Sequence, residues 1–416
     1  MRKEELYLLK KGKERLDWAE KHAKVLSTVA KEMKEKQSLR GLKIGMALHV
    51  EAKTGLLALA LHGAGADVRL AGCNPLTTDD SVAFALKEEY GLPVFARKGE
   101  TREEYYQNLN SVLDLRPHIV IDDGCDLITL LHTERRELLP NLKGGNEETT
   151  TGVLRLKSME KAGALAFPVI AVNDAKMKYL FDNRYGTGQS TFDGIMTATN
   201  LLIAGKNFVV AGYGWCGRGI AMRARGMGAK VVVTEVDPVR AIEAHLDGFE
   251  VMPMEKAVRG ADFVVTATGN RDIITKKHLR FIKNGCVLAN AGHFNNEINL
   301  GHLEEMAEKC FEAKEMVKGY TLKNGRTVYL LADGRLVNLA VGQGHPVEIM
   351  DMSFSIQARC VEYIVREGSN LKPKVYPVPK EVDEEIARLK LKTLGIKIDK
   401  LSKIQKNYLS SWEEGT

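Results

Sequence analysis

No run of 18 consecutive apolar residues occurs anywhere in the 416-residue chain, which predicts no membrane-spanning helix. The N-terminal stretch MRKEELYLLKKGKERL is charged and amphipathic, without an apolar signal region, so a cytoplasmic protein is expected. Cysteine is sparse: Cys73, Cys125, Cys216, Cys286, Cys310 and Cys360 are scattered, with no CxxC pair and no histidine at ligand spacing. A reducing compartment and no metal site follow from that scatter. Charge of one sign is not massed either. The net charge is only +6, and 60 basic and 54 acidic side chains are interspersed, which argues against a nucleic-acid footprint. There is no internal repeat and no low-complexity linker. What is present, 44% apolar residues over this length, is enough for two or three domains with their own cores.

Apolar runs alternate with helical patterns through the first half: KIGMALHV, DVRLAG, PVFARK, HIVIDDG and PVIAVND. Such alternation reads as a parallel α/β sheet with helices on both faces, in which ligand groups gather at the carboxyl edge of the strands. Three runs end in polar residues: His49 and Glu51, Asp122 and Asp123, Asn173 and Asp174. A second α/β unit begins near residue 190, and the last seventy residues return to a helical pattern. In its middle lies NFVVAGYGWCGRGIAMRARGMGAKVVVTEVDP. Gly212, Gly214 and Gly217 follow a strand and open a helix. Gly212 allows the tight turn, Gly214 the approach of a pyrophosphate, and Gly217 the close packing of helix on strand. Glu235, after the second strand, is placed to accept from ribose hydroxyls. That favours NAD over its 2′-phosphorylated form, although Arg240 keeps the question open.

The motifs LHVEAKT, CNPLTTDD, DDGCDL, EETTTG, FDNRYGTGQS, GYGWCGRG, NAGHFNNEI and LVNLAVGQGHPVEIMD occur in this order over nearly the whole chain. Together they resemble the S-adenosylhomocysteine hydrolase family, in its shorter archaeal and thermophile form. The resemblance implies two doubly wound parallel-sheet domains, a Rossmann NAD domain inserted into a substrate-binding domain, plus a C-terminal helical segment. The expected boundaries are 1–186, 187–345 and 346–416, the last an oligomerisation segment, and a homotetramer is implied. The implied substrate is a nucleoside thioether. NAD oxidises its 3′-hydroxyl so that the C4′ proton becomes acidic, homocysteine leaves by β-elimination, water adds, and the ketone is reduced again.

The resemblance also assigns roles. Lys178, Asp182 and Asn183 are implied at the 3′-hydroxyl, with Lys178 taking its proton; by spacing alone, Lys178 and Asp182 are also an ordinary i,i+4 ion pair on a helix. Asp123 and His49 are implied around C4′ and C5′, and His293 beside the nicotinamide. Glu148 is implied at the ribose, with Thr149, Thr150 and Thr151 on the cofactor. Read without the family, EETTTG is a helix-start signal with threonine as the cap. Asn338 and Thr77 are implied as further cofactor and substrate contacts, and Gly344 and His345 as closing over the nucleoside.

Three departures from longer relatives stand out. Thr187 replaces a cysteine near the nicotinamide, which alters a polarisable contact. The chain ends at SSWEEGT without the longer relatives' tail, so easier cofactor exchange is expected. Glu51, Lys53 and Thr54 occupy the base pocket, where longer relatives carry Thr and Glu in place of Glu51 and Lys53. Lysine only donates, which suits a 6-oxo purine; alternatively Lys53 points away and Glu51 accepts from a 6-amino group. Adenosyl and inosyl substrates both stay open at this stage.

Overall fold

A computed structural model of the chain describes residues 2–412; EEGT, the last four residues of the SSWEEGT end, lies outside the described residues. Six parallel strands come first: β1 (Lys43–Ala47), β2 (Asp67–Ala71), β3 (Val94–Phe95), β4 (Ile119–Asp122), β5 (Gly144–Glu147) and β6 (Val169–Ala171). Eight strands of a second sheet follow: β7 (Asn207–Ala211), β8 (Lys230–Thr234), β9 (Glu250–Val251), β10 (Phe263–Thr266), β11 (Val287–Asn290), β12 (Ala307–Lys314), β13 (Val317–Leu322) and β14 (Thr327–Leu331). The chain then returns to the first sheet with β15 (Val375–Pro377), giving the order β15-β6-β5-β4-β1-β2-β3. The second sheet runs β12-β13-β14-β11-β10-β7-β8-β9. It is parallel except for β13, which pairs antiparallel with β12 and β14.

Both sheets are covered on both faces, as the near-continuous apolar runs require. Successive residues alternate between cores: Ile119 and Ile121 enter one cluster and Val120 the opposite one. Phe263 and Val265 likewise face away from Val264. Burying each such side chain stabilises the fold by roughly 1.5–3 kcal/mol. The faces are thus consumed by packing, and only the strand ends remain for polar chemistry.

One strand is invisible in the apolar pattern. β5 reads GGNE, yet all four residues are buried. A Cβ on Gly144 would stand 2.9 Å from Ile364 and one on Gly145 3.0 Å from Val120. The strand is glycine-rich because neighbours press on it. Among the described residues, no helix is long and apolar enough to cross a membrane.

Candidate active site

Adjacent strands of the first sheet each release a polar residue at the carboxyl edge: Cys73 beyond β2, His49 beyond β1, Asp123 beyond β4, Glu148 beyond β5 and Asn173 beyond β6. They line a cleft of about 1090 Å³ whose opposite wall carries Gly212, Gly214, Glu235 and Asn338, Cys73 excepted, which lies just behind it, in reach of His49 and Asp123.

Lys178 sits at one focus, 4% exposed. Its Nζ donates to Asn183 Oδ1 (3.0 Å) and Asn173 Oδ1 (3.4 Å) and lies 3.4 Å from both Glu148 Oε1 and Asp182 Oδ1. Burial works against its charge, but Asp182, Glu148 and Asp123 outweigh it and hold the ammonium above the usual lysine range. Asp182 is likewise opposed by burial yet held well below the carboxylate range by Lys178, His345 and Ser353, whose Oγ donates at 2.8 Å. Glu148 goes the other way, pushed up to about 7 by burial. Gln357 donates to its Oε2 at 2.6 Å. The helix expected over 178–182 is not continuous: one turn, Lys176–Tyr179, is followed by a wide π turn, Asp182–Gly186. Gly186 N bonds Phe181 O across five residues, which turns Asp182 and Asn183 toward Lys178.

His49, Asp123 and His293 form the second focus. His49 Nε2 is 3.5 Å from Asp123 Oδ2, and His293 Nδ1 is 3.4 Å from Asp123 Oδ1. His49 Nδ1 lies 2.7 Å from Thr77 Oγ1, which itself donates to the Asn74 carbonyl at 3.2 Å. Because a carbonyl only accepts, the chain runs from Nδ1–H through Thr77 to Asn74, and Nε2 is left as a proton acceptor. Burial lowers the His49 pKa to about 4, against the pull of Asp123, so the imidazole is neutral at neutral pH. Gly124 follows Asp123 with φ +102°, and a Cβ there would collide with His293 Nε2.

The residues expected to hold a dinucleotide fit one. Gly212 has φ +92°, the space above Gly214 is open except for Arg240 at 3.7 Å, and a Cβ on Gly217 would collide with the Gly212 carbonyl. The helix Trp215–Gly226 starts at Gly214 without a side-chain cap, leaving its first N–H groups for an anion. Glu235 already accepts from the N–H groups of Tyr213 (2.6 Å), Val236 (2.6 Å) and Asp237 (3.1 Å), which fixes its carboxylate at the cleft wall. Asn338 donates to Ser190 and Thr191, while its buried Oδ1 has no partner among the described residues, an acceptor suited to a carboxamide N–H. Thr149, Thr150 and Thr151 all line the cleft. Thr149 is also the cap of the helix Thr150–Lys161, so the helix-start reading and the cleft reading describe one place.

Some expected residues stand back from the cavity. Gly217 lies behind the turn, and Gly344, with φ +74°, shapes the loop carrying His345. His345 Nδ1 is 2.9 Å from Asp182 Oδ1, and its Nε2 is 3.3 Å from Thr187 Oγ1. Thr187 in turn donates to Cys216 Sγ at 3.5 Å, so a thiol flanks the position where the sequence shows a hydroxyl. Sequence reading missed Glu147, whose Oε1 ties the Asp123 loop to the threonine run by accepting from Gly124 N, Thr149 N and Thr149 Oγ1, each at 2.9 Å. It missed Ser353 and Gln357 as well, because both lie on the distant helix Val347–Glu367.

A doubly wound dinucleotide domain facing buried acid-base groups on a second parallel sheet defines a nucleotide-cofactor enzyme. Residues 183–344 match the family described as S-adenosyl-L-homocysteine hydrolase, NAD binding domain, and residues 2–140 the family S-adenosyl-L-homocysteine hydrolase. The chain is 58% identical over 406 residues to an adenosylhomocysteinase of Thermoplasma volcanium, spanning 98% of this chain and 99% of that one. It is equally 58% identical over 412 residues to an S-inosyl-L-homocysteine hydrolase of Methanocaldococcus jannaschii, with 99% of each covered. An adenosylhomocysteinase of Thermotoga maritima is 57% identical over 402 residues, covering 97% of this chain and 99% of that one. The chain therefore belongs to the S-adenosyl-L-homocysteine hydrolase family, and its cofactor is NAD.

Proposed function

We propose that this enzyme hydrolyses the thioether of S-adenosyl-L-homocysteine, reversibly, to adenosine and homocysteine. One observation carries the reading: a buried lysine among two carboxylates and two amides shares a cleft with a dinucleotide turn. NAD, held by the Gly212–Gly217 turn and Glu235, would supply the hydride acceptor for C3′ and return the hydride at the end of the cycle. Lys178 enters as an ammonium and must give up a proton before it can take one from the 3′-hydroxyl. Glu148 and Asp182 both lie 3.4 Å away, and Glu148, pushed up by burial, is the more basic of the two and the route by which that proton can be relayed. Asp182, anchored by Ser353 and His345, holds Lys178 in place. Asp123 and His49 then work at C4′ and C5′. A carboxylate and an imidazole 3.5 Å apart can pass the C4′ proton to the departing sulfur, and the reverse sequence activates water.

The division of the chain into 1–186, 187–345 and 346–416 belongs to the same proposal, as do a cytoplasmic homotetramer and the cofactor roles of Asn338 and the three threonines. Six free cysteines support a reducing compartment, and the exposed apolar Leu201, Leu202, Ile404 and Trp412 support assembly. Purified protein should carry one NAD per chain through gel filtration and turn over S-adenosylhomocysteine without added cofactor. A requirement for added, consumed NAD would instead make it an ordinary dehydrogenase.

For the base, similarity is even-handed, and the geometry favours the adenosyl compound. Lys53 Nζ donates to Glu51 Oε2 at 2.9 Å and to the Gln343 carbonyl at 3.1 Å, so two of its three N–H groups are spent within the protein. Glu51 in turn caps the helix Ala52–Gly63. The parent should prefer the adenosyl over the inosyl thioether, and Lys53→Met should slow both while leaving their kcat/KM ratio nearly unchanged. A mismatched buried donor costs about 1–3 kcal/mol, roughly tenfold to a hundredfold in specificity. An inosyl preference of that size, erased by Lys53→Met, would establish the inosyl alternative.

A further inference from the structure

Cys73 has no part in the proposed reaction, yet it is 4% exposed and its ligand atom, one from His49 and one from Asp123 all lie within 4.8 Å of one another. Among the described residues this is the one trio of His, Cys, Asp or Glu that close together. The three come from the ends of neighbouring strands β2, β1 and β4, so the sheet itself fixes their spacing. His49 is oriented by Thr77 at Nδ1, which directs Nε2 at Asp123. Asp123 Oδ1 is buried with His293 Nδ1 3.4 Å away but makes no well-aligned hydrogen bond among the described residues.

We propose that Cys73, His49 and Asp123 form a seat for one thiophilic divalent cation such as Zn²⁺ or Cd²⁺, which inhibits the enzyme. A thiolate, an imidazole nitrogen and a carboxylate oxygen are the donors such ions take. In a tetrahedral site these donors stand roughly 3.5 Å apart, so side-chain rotations of about 1 Å close the trio around an ion. His293, with Nδ1 at 3.4 Å from Asp123, or a water supplies the fourth ligand. On binding, the Cys73 S–H bond breaks, its proton leaves to solvent, and the sulfur keeps the electron pair that forms the metal bond; nothing is oxidised or reduced. The ion occupies the lone pairs with which His49 and Asp123 handle protons, so it inhibits by taking the place of the nucleoside's C5′ end. Ion binding does not rest on the proposed reaction; competition with the nucleoside does.

The test uses the NAD-loaded protein and Cd²⁺, followed by the ultraviolet sulfur-to-metal charge-transfer band and by calorimetry. One Cd²⁺ per chain is expected in this class, displaced by adenosine, with Cys73→Ser weakening it at least about tenfold. Cys216→Ser, which alters the cleft's other thiol, and Cys310→Ser, which alters an exposed one, should keep the band. A band that survives Cys73→Ser, or that vanishes in Cys216→Ser, overturns the assignment. Because Cys73→Ser can perturb a buried site, Asp123→Asn is titrated in parallel, and undiminished Cd²⁺ affinity there overturns it as well. Tight Cd²⁺ binding that adenosine fails to displace preserves the seat but overturns its inhibitory role and counts against the nucleoside reading.

Discussion

Mixed with adenosine, the Lys178→Met and Asp182→Asn variants should fail to reduce their bound NAD, whereas the parent develops the absorbance of the reduced cofactor. This half-reaction isolates the first step, before any bond to sulfur is at stake. Proton transfer by a positioned side chain is typically worth about 10² to 10⁴ in rate, so a Lys178→Met protein should fall at least that far. Lys178 is also the hub for Glu148 Oε1, Asp182 Oδ1, Asn173 Oδ1 and Asn183 Oδ1. Removing the cation leaves two buried carboxylates facing each other, which costs about 3–5 kcal/mol when one partner of a buried pair is lost. Asp182→Asn is the gentler change, since an amide can keep the hydrogen bond from Ser353 while losing the charge that holds the ammonium. Retained NAD and retained adenosine binding, measured on each variant, separate lost chemistry from lost structure. Reduction at the parental rate in either variant would remove that residue from the 3′-hydroxyl.

What the sequence disclosed and what it hid follow from where each signal lies. Gly212, Gly214 and Gly217 could be read directly because a phosphate-binding turn is local, with its strand, its helix and its glycines within a few residues. β1, β4 and β6 were legible as apolar runs ending in polar residues, which brought His49, Asp123 and Asn173 into view. β5 was not, because its role is set by the side chains of Ile364 and Val120 pressing on Gly144 and Gly145. Its GGNE sequence carries no apolar period. Glu147 and Glu148 are adjacent in sequence but do different work: one ties two loops by accepting from their N–H groups, the other faces Lys178. Only the pleat of the strand separates them. Ser353 and Gln357 sit four apart on one face of a helix some 170 to 210 residues beyond the groups they serve, a pairing no local pattern encodes. The wide turn at Asp182–Gly186 is a similar case, since spacing alone suggested a plain helix.

Asp123→Asn should separate the two halves of the reaction in the opposite sense. The variant is expected to reduce its NAD with adenosine at close to the parental rate, because Lys178, Asp182 and Asn183 stay intact, yet to lose overall turnover by about 10² to 10⁴. The amide occupies the same space and can still bond His49, so the cleft should survive. What it cannot do is accept the C4′ proton. His49→Ala tests the partner: neutral, with Nε2 bare and 3.5 Å from Asp123, the imidazole is the base proposed to relay that proton to sulfur and to activate water. Its loss also frees Thr77 Oγ1, a smaller perturbation because Thr77 keeps its bond to the Asn74 carbonyl. Exchange of the C4′ hydrogen with deuterated solvent during incubation with adenosine gives the decisive readout. In the parent it should be visible by mass spectrometry; in Asp123→Asn it should be slowed as far as turnover is, while reduced cofactor accumulates. If exchange continues at the parental rate in Asp123→Asn while turnover is lost, the carboxylate acts only on the sulfur side, and the C4′ base must be sought at His49.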